Sequence, residues 1–219
     1  MKSSRSEDNR LVLFDNPWLE KLTVVSLKWF LATWAMIVPL VVWAGGAEFA
    51  MPAAIGLVVT GWFIWSLLEY CAHRTLFHWD PEWLWLKRFV FVIHGNHHAQ
   101  PRDELRNLMP PIVSIPVTGL VWALLSAAAG SAGTWIFVGF LIGYIAYDLT
   151  HYACHHWPMC GPVGMLVKRH HMQHHYITDD RNFGVSAIFW DYVFGTRLAN
   201  PGQSKRFRNS GRDALHPAE

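Results

Sequence analysis

Histidine dominates the chemistry that this sequence could perform. Twelve of its thirteen histidines lie between residues 73 and 175, and ten of these twelve form four groups that read HRTLFH (73–78), HGNHH (94–98), HYACH (151–155) and HMQHH (171–175). On a helix, positions i, i+3 and i+4 share one face, so each H-x-x-H-H motif presents three imidazoles together. Neutral imidazole is a good ligand for zinc, copper, nickel and iron. The pattern therefore predicts a metal centre.

The number of candidate ligands indicates more than one metal ion. His73 and His78 are five residues apart and would diverge by roughly 140° on an ideal helix, so we expect either a helix end between them or two different metals. Ten imidazoles exceed the needs of one four- to six-coordinate ion, which favours two ions. The spacing leaves out His156, His170 and His216. The candidate ligands are His73, His78, His94, His97, His98, His151, His155, His171, His174 and His175.

Long apolar stretches must position these histidines. The chain is 52% hydrophobic and only 16% charged, against roughly 25% charged residues in an average soluble domain. Apolar stretches cover residues 22–44, 49–68, 111–129 and 134–146, the last expected to continue as a helix. About 20 apolar residues span a bilayer, and a chain of this size has no core that could bury four such helices. We predict an all-α integral membrane protein.

The connections predict how the spans are arranged. Those between the first two stretches and between the last two are short, which predicts four transmembrane helices in two hairpins. All eighteen Lys and Arg residues lie outside these connections, so the positive-inside rule places both hairpin tips outside the cytosol. The metal site and both termini are then cytosolic, with the histidines in a cytosolic helical cap. The stretch 81–101 is typical of an interfacial helix.

The remaining composition sets limits on domains and partners. Residues 1–21 are predicted to be a cytosolic N-terminal segment without a cleaved signal peptide, 22–197 the membrane domain and 198–219 a polar C-terminal tail. A formal charge of +2 without a dense basic patch argues against a nucleic-acid partner. The three cysteines form no C-x-x-C pair and cannot all be bridged, which excludes a disulfide framework and a cysteine zinc site.

Several polar residues near the motifs are candidates for supporting roles. Asp148 and Glu69 lie about one helical turn before His151 and His73, and each could accept a ring N–H; the alternative is a helix-end carboxylate near water. The hydroxyl of Tyr147 could reach the metals or a bound substrate; the alternative is an interfacial tyrosine.

Two further sets of residues lie outside the histidine motifs. Asp103 and Arg106 are expected to pair with each other or to meet a lipid head group. A packing role is expected for Asn182, Phe183, Gly184, Trp190 and Asp191.

The order of the four motifs resembles the fatty acid hydroxylase superfamily of integral-membrane di-metal oxygenases, which also holds sterol C4-methyl oxidases and carotenoid ring hydroxylases. The flanking sequences are similar to the fatty acid 2-hydroxylase branch, in particular P-x-D-x-x-R followed by paired prolines. The similar stretches are 94–111, 143–157 and 166–196, and the resemblance as a whole covers about residues 60–197.

The resemblance implies an enzyme that inserts one oxygen atom from O2 beside a lipid carboxyl group, at C2 of a fatty acid or lipid acyl chain. It implies that the ten histidines bind two metal ions. Iron is expected because it changes oxidation state, whereas zinc does not, although a purified sample could contain zinc. Tyr147 and Asp148 are the candidate catalytic residues. The implied partners are the membrane, the lipid substrate and a separate electron donor, such as a ferredoxin, a cytochrome b5-like protein or a reductase, since 21 N-terminal residues cannot encode a cytochrome b5 domain.

Two alternatives stay open at this point. The first keeps the chemistry and changes the substrate, as in a carotenoid or sterol hydroxylase or a desaturase. The second is a membrane metal-binding or transport protein. A transporter is expected to place polar ligands along its spans, whereas these histidines lie at the ends of the predicted spans.

Overall fold

The computed structural model describes residues 10–198, and all the regular structure within that range is helical. The all-α prediction is confirmed for these residues. The elements are α1 (Pro17–Leu22), α2 (Leu27–Ala44), α3 (Met51–Ala72), α4 (Leu84–Val90), α5 (Asn96–Ala99), α6 (Pro111–His156), α7 (Pro162–Tyr176) and α8 (Phe189–Val193). Two π-helical turns, His73–Phe77 and Phe91–Gly95, follow α3 and α4 directly.

Three helical segments within residues 10–198 are long and apolar enough to cross a membrane. They are Leu27–Ala44, Met51–Phe77 and Pro111–His156. The sequence predicted two stretches, 111–129 and 134–146, where the structure has the single element α6 of 46 residues. These helices make the chain a multi-pass membrane protein.

The long helix α6 is interrupted at Gly130. The backbone there leaves the helical region, with φ 55° and ψ −133°, a conformation that glycine tolerates. The Trp122 indole N–H donates to the Thr134 hydroxyl at 3.2 Å, and the Trp122 ring stacks on Phe137 at 5.7 Å. Residues twelve apart in a straight helix would be about 18 Å apart. The chain therefore folds back at Gly130.

An aromatic cluster joins α2 and α3 to the part of α6 that follows Gly130. The ring of Tyr144 on α6 lies 5.3 Å from Trp34 on α2 and 5.2 Å from Trp65 on α3. Phe30 is fully buried beside them. Edge-on contacts of this kind add to the apolar burial. Both helices are thus packed chiefly against α6.

The contact between α3 and α6 depends on glycine at two positions. A Cβ atom on Gly61 would lie 1.8 Å from the Ile136 carbonyl oxygen, and one on Gly139 would lie 1.8 Å from the Val58 carbonyl oxygen. The two backbones therefore touch, as is common where small residues line helix interfaces in membranes. This close contact sets the position of α3 relative to α6.

The N-terminal segment packs over the loop that follows α5. Arg10 pairs with Asp103 at 2.8 Å, and the Arg106 guanidinium binds Glu20 and the Leu11 carbonyl. The expectation that Asp103 and Arg106 would pair with each other is wrong, since both side chains pair with the N-terminal segment instead. The predicted C-terminal tail, apart from Leu198, lies outside the described residues, as does His216.

We expect Gly139→Ala to lower the free energy of unfolding by about 1–3 kcal/mol, because the added methyl group must push α3 away from α6. An SDS titration of the detergent-solubilised protein, followed by tryptophan fluorescence, measures the change. Gly119→Ala, in the part of α6 before Gly130, is the control, because a Cβ atom there has nothing within 4 Å. Equal stability of the two variants would contradict the close contact.

Candidate metal centre

The ten histidines with ligand spacing converge into two groups of five. In each group the candidate ligand atoms all lie within 4.8 Å of one another. The first histidine group contains His73, His78, His94, His98 and His174, and the second contains His97, His151, His155, His171 and His175. Among the described residues, neither group includes a histidine that the spacing left out.

Each H-x-x-H-H motif divides its ligands between the two groups. In HGNHH, His94 and His98 belong to the first group and His97 to the second. In HMQHH, His174 belongs to the first group, whereas His171 and His175, at i and i+4, belong to the second. Residues i and i+4 lie almost above one another on a helix, whereas i+3 is offset to the other side. Each motif therefore sits between the two groups and contributes to both.

The first π-helical turn explains how His73 and His78 reach the same group. Its hydrogen bonds run from i to i+5, which widens the turn and brings residues five apart to the same side. The centroids of the two rings are 5.1 Å apart. The two rings were expected from the sequence to diverge, because an ideal α-helix was assumed. Residues 74–77 contain no glycine or proline that would indicate a departure from α-helical geometry.

The spacing of the nitrogen atoms fits a metal ion in each group. In the first group, the Nε2 atom of His94 lies 3.2 Å from that of His73 and 2.9 Å from that of His98. In the second, the Nε2 atom of His97 lies 2.8 Å from that of His151. Two ligand nitrogens at right angles, each about 2.1 Å from a metal, are about 3.0 Å apart. Five imidazole donors at this spacing suit the transition metals that prefer nitrogen ligands.

Backbone carbonyls orient two rings of the first group. The Nδ1 atom of His73 donates to the Phe183 carbonyl at 2.5 Å, and that of His174 donates to the Arg181 carbonyl at 2.7 Å. Since a carbonyl oxygen only accepts, Nδ1 carries the proton and Nε2 is left as the free ligand atom. Such outer contacts fix both the tautomer and the ring orientation of a metal ligand.

The segment that supplies these carbonyls, residues 181–191, is named here the closing segment. Asp191 is fully buried in it and accepts from the Phe183 amide at 2.9 Å, the Gly184 amide at 2.8 Å and the His170 ring at 2.9 Å. Burial alone would raise the pKa of Asp191, but hydrogen bonds from the His170 ring, the Thr196 hydroxyl and the Gly184 amide hold that pKa below its usual value. His170, which the spacing left out as a ligand, thus joins α7 to the closing segment.

Glu69 holds the closing segment from the other side. Its carboxylate accepts from the Val185 amide at 2.8 Å, the Ser186 amide at 2.7 Å and the Ser186 hydroxyl. The prediction that Glu69 accepts the ring N–H of His73 is wrong, since the Phe183 carbonyl takes that place. Glu69 is 3% exposed. This buried carboxylate lies on α3, one turn before His73, and acts on that ligand through the closing segment.

Tyr147 and Asp148 lie on α6, one turn before His151 of the second group. The Asp148 carboxylate accepts the Met109 amide at 3.2 Å, so it holds the loop before α6, whereas a ring N–H of His151 was expected there. The Tyr147 ring is buried and lies 5.9 Å from the His151 ring. The catalytic roles of Tyr147 and Asp148 stay predictions.

Burial keeps the ligand imidazoles neutral. Outside the membrane-spanning helices, desolvation is the leading cause that lowers the pKa of His98 to about 2 and that of His174 to about 4, and neighbouring imidazoles lower both further. The same causes hold the pKa of His94, His97 and His171 well below the usual value. A neutral ring is the form that binds a metal.

The lowered pKa values predict that acid destabilises the metal-free protein. As the pH falls through about 6.5, the unfolded chain takes up protons that the folded rings do not, so the free energy of unfolding falls, by up to about 1.4 kcal/mol per pH unit for each such histidine. The loss continues to about pH 4 for His174 and about pH 2 for His98. Denaturant titrations of chelator-treated protein between pH 8 and pH 5 measure the slope. The slope should be shallower in His98→Gln, and a flat wild-type profile would contradict the buried neutral rings.

The chain is similar to known lipid hydroxylases. The sequence profile described as fatty acid hydroxylase matches residues 58–196. A dihydroceramide fatty acyl 2-hydroxylase of Arabidopsis thaliana is 36% identical over 171 residues, which cover 74% of this chain and 72% of that protein. The fatty acid 2-hydroxylase of Homo sapiens is 39% identical over 64% of this chain and 39% of that protein.

A solved structure has the same fold. The structure described as full-length scs7p, in which only the hydroxylase domain is visible, superposes with a TM-score of 0.78 and 34% sequence identity. The match covers 86% of this chain and 72% of that chain. At this identity the likeness extends beyond general topology to the family of the hydroxylase domain.

Proposed function

Because this chain belongs to the fatty acid hydroxylase family and is an oxidoreductase, we propose that it hydroxylates the acyl chain of a lipid at C2, using O2 and two metal ions bound by its ten histidines. The observation that carries the proposal is the pair of five-histidine groups. The names of its relatives, which include dihydroceramide acyl and fatty acid 2-hydroxylases, support the position and the substrate class.

Iron is the metal proposed for both groups. Bound iron supplies an oxidant strong enough to break an unactivated C–H bond, which zinc cannot do because it does not change oxidation state. The same imidazoles would bind zinc in a purified sample. The protein's own contribution is to hold ten neutral Nε2 atoms in place and to keep the rings from protonating.

The proposed reaction needs a source of electrons. Inserting one oxygen atom of O2 into a C–H bond leaves the second atom to be reduced to water, which consumes two electrons and two protons. We propose that a separate ferredoxin, cytochrome b5-like protein or reductase supplies the electrons. The membrane is the other partner, since it delivers the lipid to α2, α3 and α6.

Four membrane crossings in two hairpins account best for the helices. The reversal at Gly130 divides α6 into 111–129 and 131–156, which with α2 and α3 makes four apolar segments. The connections 45–48 and 130–133 contain no Lys or Arg, so the positive-inside rule favours a cytosolic location for the metal groups and both termini. The histidines then lie at the cytosolic membrane surface, where an acyl lipid presents its head.

A polar cavity of about 490 Å³ next to the first group is the proposed site for the lipid head. His78 lines it together with Arg74, Arg181, Asp179, Asp180 and Phe194. Two cationic and two anionic side chains complement a head that carries both donors and acceptors. A head bound there would hold the carbonyl end of the acyl chain, and with it C2, beside the ligand His78.

Tyr147 and Asp148 keep separate proposed roles. Tyr147 is the candidate catalytic residue that contacts the substrate, because its ring lies over His151 of the second group. Asp148 is proposed to act through the loop whose Met109 amide it binds.

Expression in a host that lacks the activity should produce 2-hydroxy acyl chains in the lipid extract, measured by mass spectrometry. The protein must hold iron and have an electron donor, which a co-expressed donor supplies. Unchanged host lipids under those conditions would contradict the proposed function.

Two adjacent histidines provide a matched pair of variants for the same assay. His155→Ala should abolish the product, because His155 belongs to the second group. His156→Ala should retain it, because the His156 ring contacts Asn107 and lies in neither group. Equal activity of the two variants would remove the assignment of ligands.

The head-group site predicts a change in KM with little change in kcat. Arg74→Gln and Arg181→Gln each remove one cationic donor from the cavity, and the loss of a charged hydrogen bond should raise KM about tenfold or more. Arg181→Gln keeps the backbone carbonyl that His174 uses. Steady-state kinetics with an N-acyl lipid substrate measure the effect, with Arg102→Gln as the exposed arginine control. An unchanged KM in both cavity variants would place the head elsewhere.

A further inference from the structure

The two histidine groups differ in what holds the outer nitrogen of their rings. In the first group, Nδ1 of His73 and of His174 each donates to a backbone carbonyl. In the second group, Nδ1 of His171 and of His175 is buried and has no hydrogen-bond partner among the described residues. We propose that the first group binds its metal ion more tightly than the second, so that the first group fills first and the second group empties first. This inference rests on the proposed two-metal centre.

The physical reason is that the tautomer and the orientation of a ligand ring can be set before the metal binds. A ring whose Nδ1 donates to a fixed carbonyl already has its lone pair on Nε2, has one orientation, and is a stronger base towards the metal. A ring with a buried and unpaired Nδ1 has lost water as a partner without gaining another. For His171 and His175 of the second group, tautomer and orientation are left to the metal itself.

The carbonyls that accept from His73 and His174 belong to the closing segment, which hydrogen bonds hold in place. The Phe183 peptide is held by Asp191, whose carboxylate also binds the next amide at Gly184. The Asn182 side chain donates to the His170 carbonyl on α7 at 3.1 Å. A Cβ atom on Gly184 would lie 2.7 Å from the Ala187 carbonyl oxygen, so the segment is closely packed as well as hydrogen-bonded. The acceptors are therefore in place in the metal-free protein.

Other properties of the two groups are matched. Each has five imidazole donors, three of them buried and two half-buried. The short distances between Nε2 atoms of neighbouring rings run from 2.9 to 3.2 Å in the first group. In the second group they run from 2.8 to 3.1 Å. Ligand number, burial and spacing thus do not favour the second group. The outer contacts are what distinguishes them.

The expected difference is large enough to measure. Removing one outer partner of a metal ligand typically costs 10- to 100-fold in metal affinity. Two such contacts in the first group and two unpaired rings in the second correspond to a ratio of dissociation constants of about a hundredfold or more.

Chelator titration of the metal-loaded protein tests the inference. The full chain is purified in detergent, loaded with Zn²⁺, and equilibrated with increasing EDTA, and the metal per chain is measured by inductively coupled plasma mass spectrometry. We expect a plateau at about one metal ion per chain between two separate losses. Loss of both ions in a single step would overturn the inference. A protein that holds at most one ion at saturation would overturn both the inference and the two-metal centre.

Ligand variants assign the two steps. His98→Ala and His155→Ala each remove one half-buried ligand, from the first and the second group respectively. The ion left in His155→Ala should leave at the high EDTA concentration of the second wild-type step, and the ion left in His98→Ala at the low concentration of the first. The reverse order would overturn the assignment.

Asp191→Asn tests the closing segment without touching a ligand. Weakening its hydrogen bonds to the Phe183 and Gly184 amides should shift the second step to about tenfold lower EDTA, while the first step stays where it was. Asp103→Asn, which alters a carboxylate bound to Arg10, is the control and should change neither step. An Asp191→Asn variant that shifts both steps equally would show a general loss of structure and overturn the specific role. Size-exclusion chromatography and thermal unfolding establish that the variants are folded.

Discussion

The convergence of ten neutral imidazoles is the constraint on which the rest of the structure depends. Nitrogen atoms about 3 Å apart can share a buried space only while the rings are uncharged, because protonated rings would repel each other and lose their hydration. The histidines come from helices separated by more than a hundred residues of sequence. The position of each helix relative to the others must therefore be fixed more precisely than the distance between two ligand nitrogens.

Two kinds of contact meet this requirement, one on each side of the centre. Within the apolar region, the backbones of α3 and α6 touch at Gly61 and Gly139, and the aromatic cluster around Tyr144 ties α2 to both. At the polar end, Glu69 and Asp191 gather the amides of the closing segment and place its carbonyls against two ligand rings. Packing thus sets the helices, and buried hydrogen bonds set the rings.

The buried carboxylates of Glu69 and Asp148 contact loops and not the ligand rings themselves. Glu69 and Asp148 occupy the positions, about one turn before a ligand, from which a direct contact with the ring was expected. Each instead binds backbone amides of a loop. A loop amide cannot find water in this interior, so a carboxylate that satisfies it also fixes the loop. At Glu69, the same contacts also help to place the Phe183 carbonyl against the His73 ring.

The sequence by itself determined the helical class, the apolar segments and the ten histidines that converge, because hydrophobic length and the i, i+3, i+4 spacing are local properties of a helix. Only the tertiary structure decided how the ten divide five and five, since each H-x-x-H-H motif lies between the groups and the division depends on what packs on either side. It also decided that His73 and His78 share a group, through a π-helical turn that residues 74–77 do not announce. The partners of Asp103, Arg106, Glu69 and His170 were likewise beyond the sequence, because they come from residues distant in the chain that only folding brings within hydrogen-bonding distance.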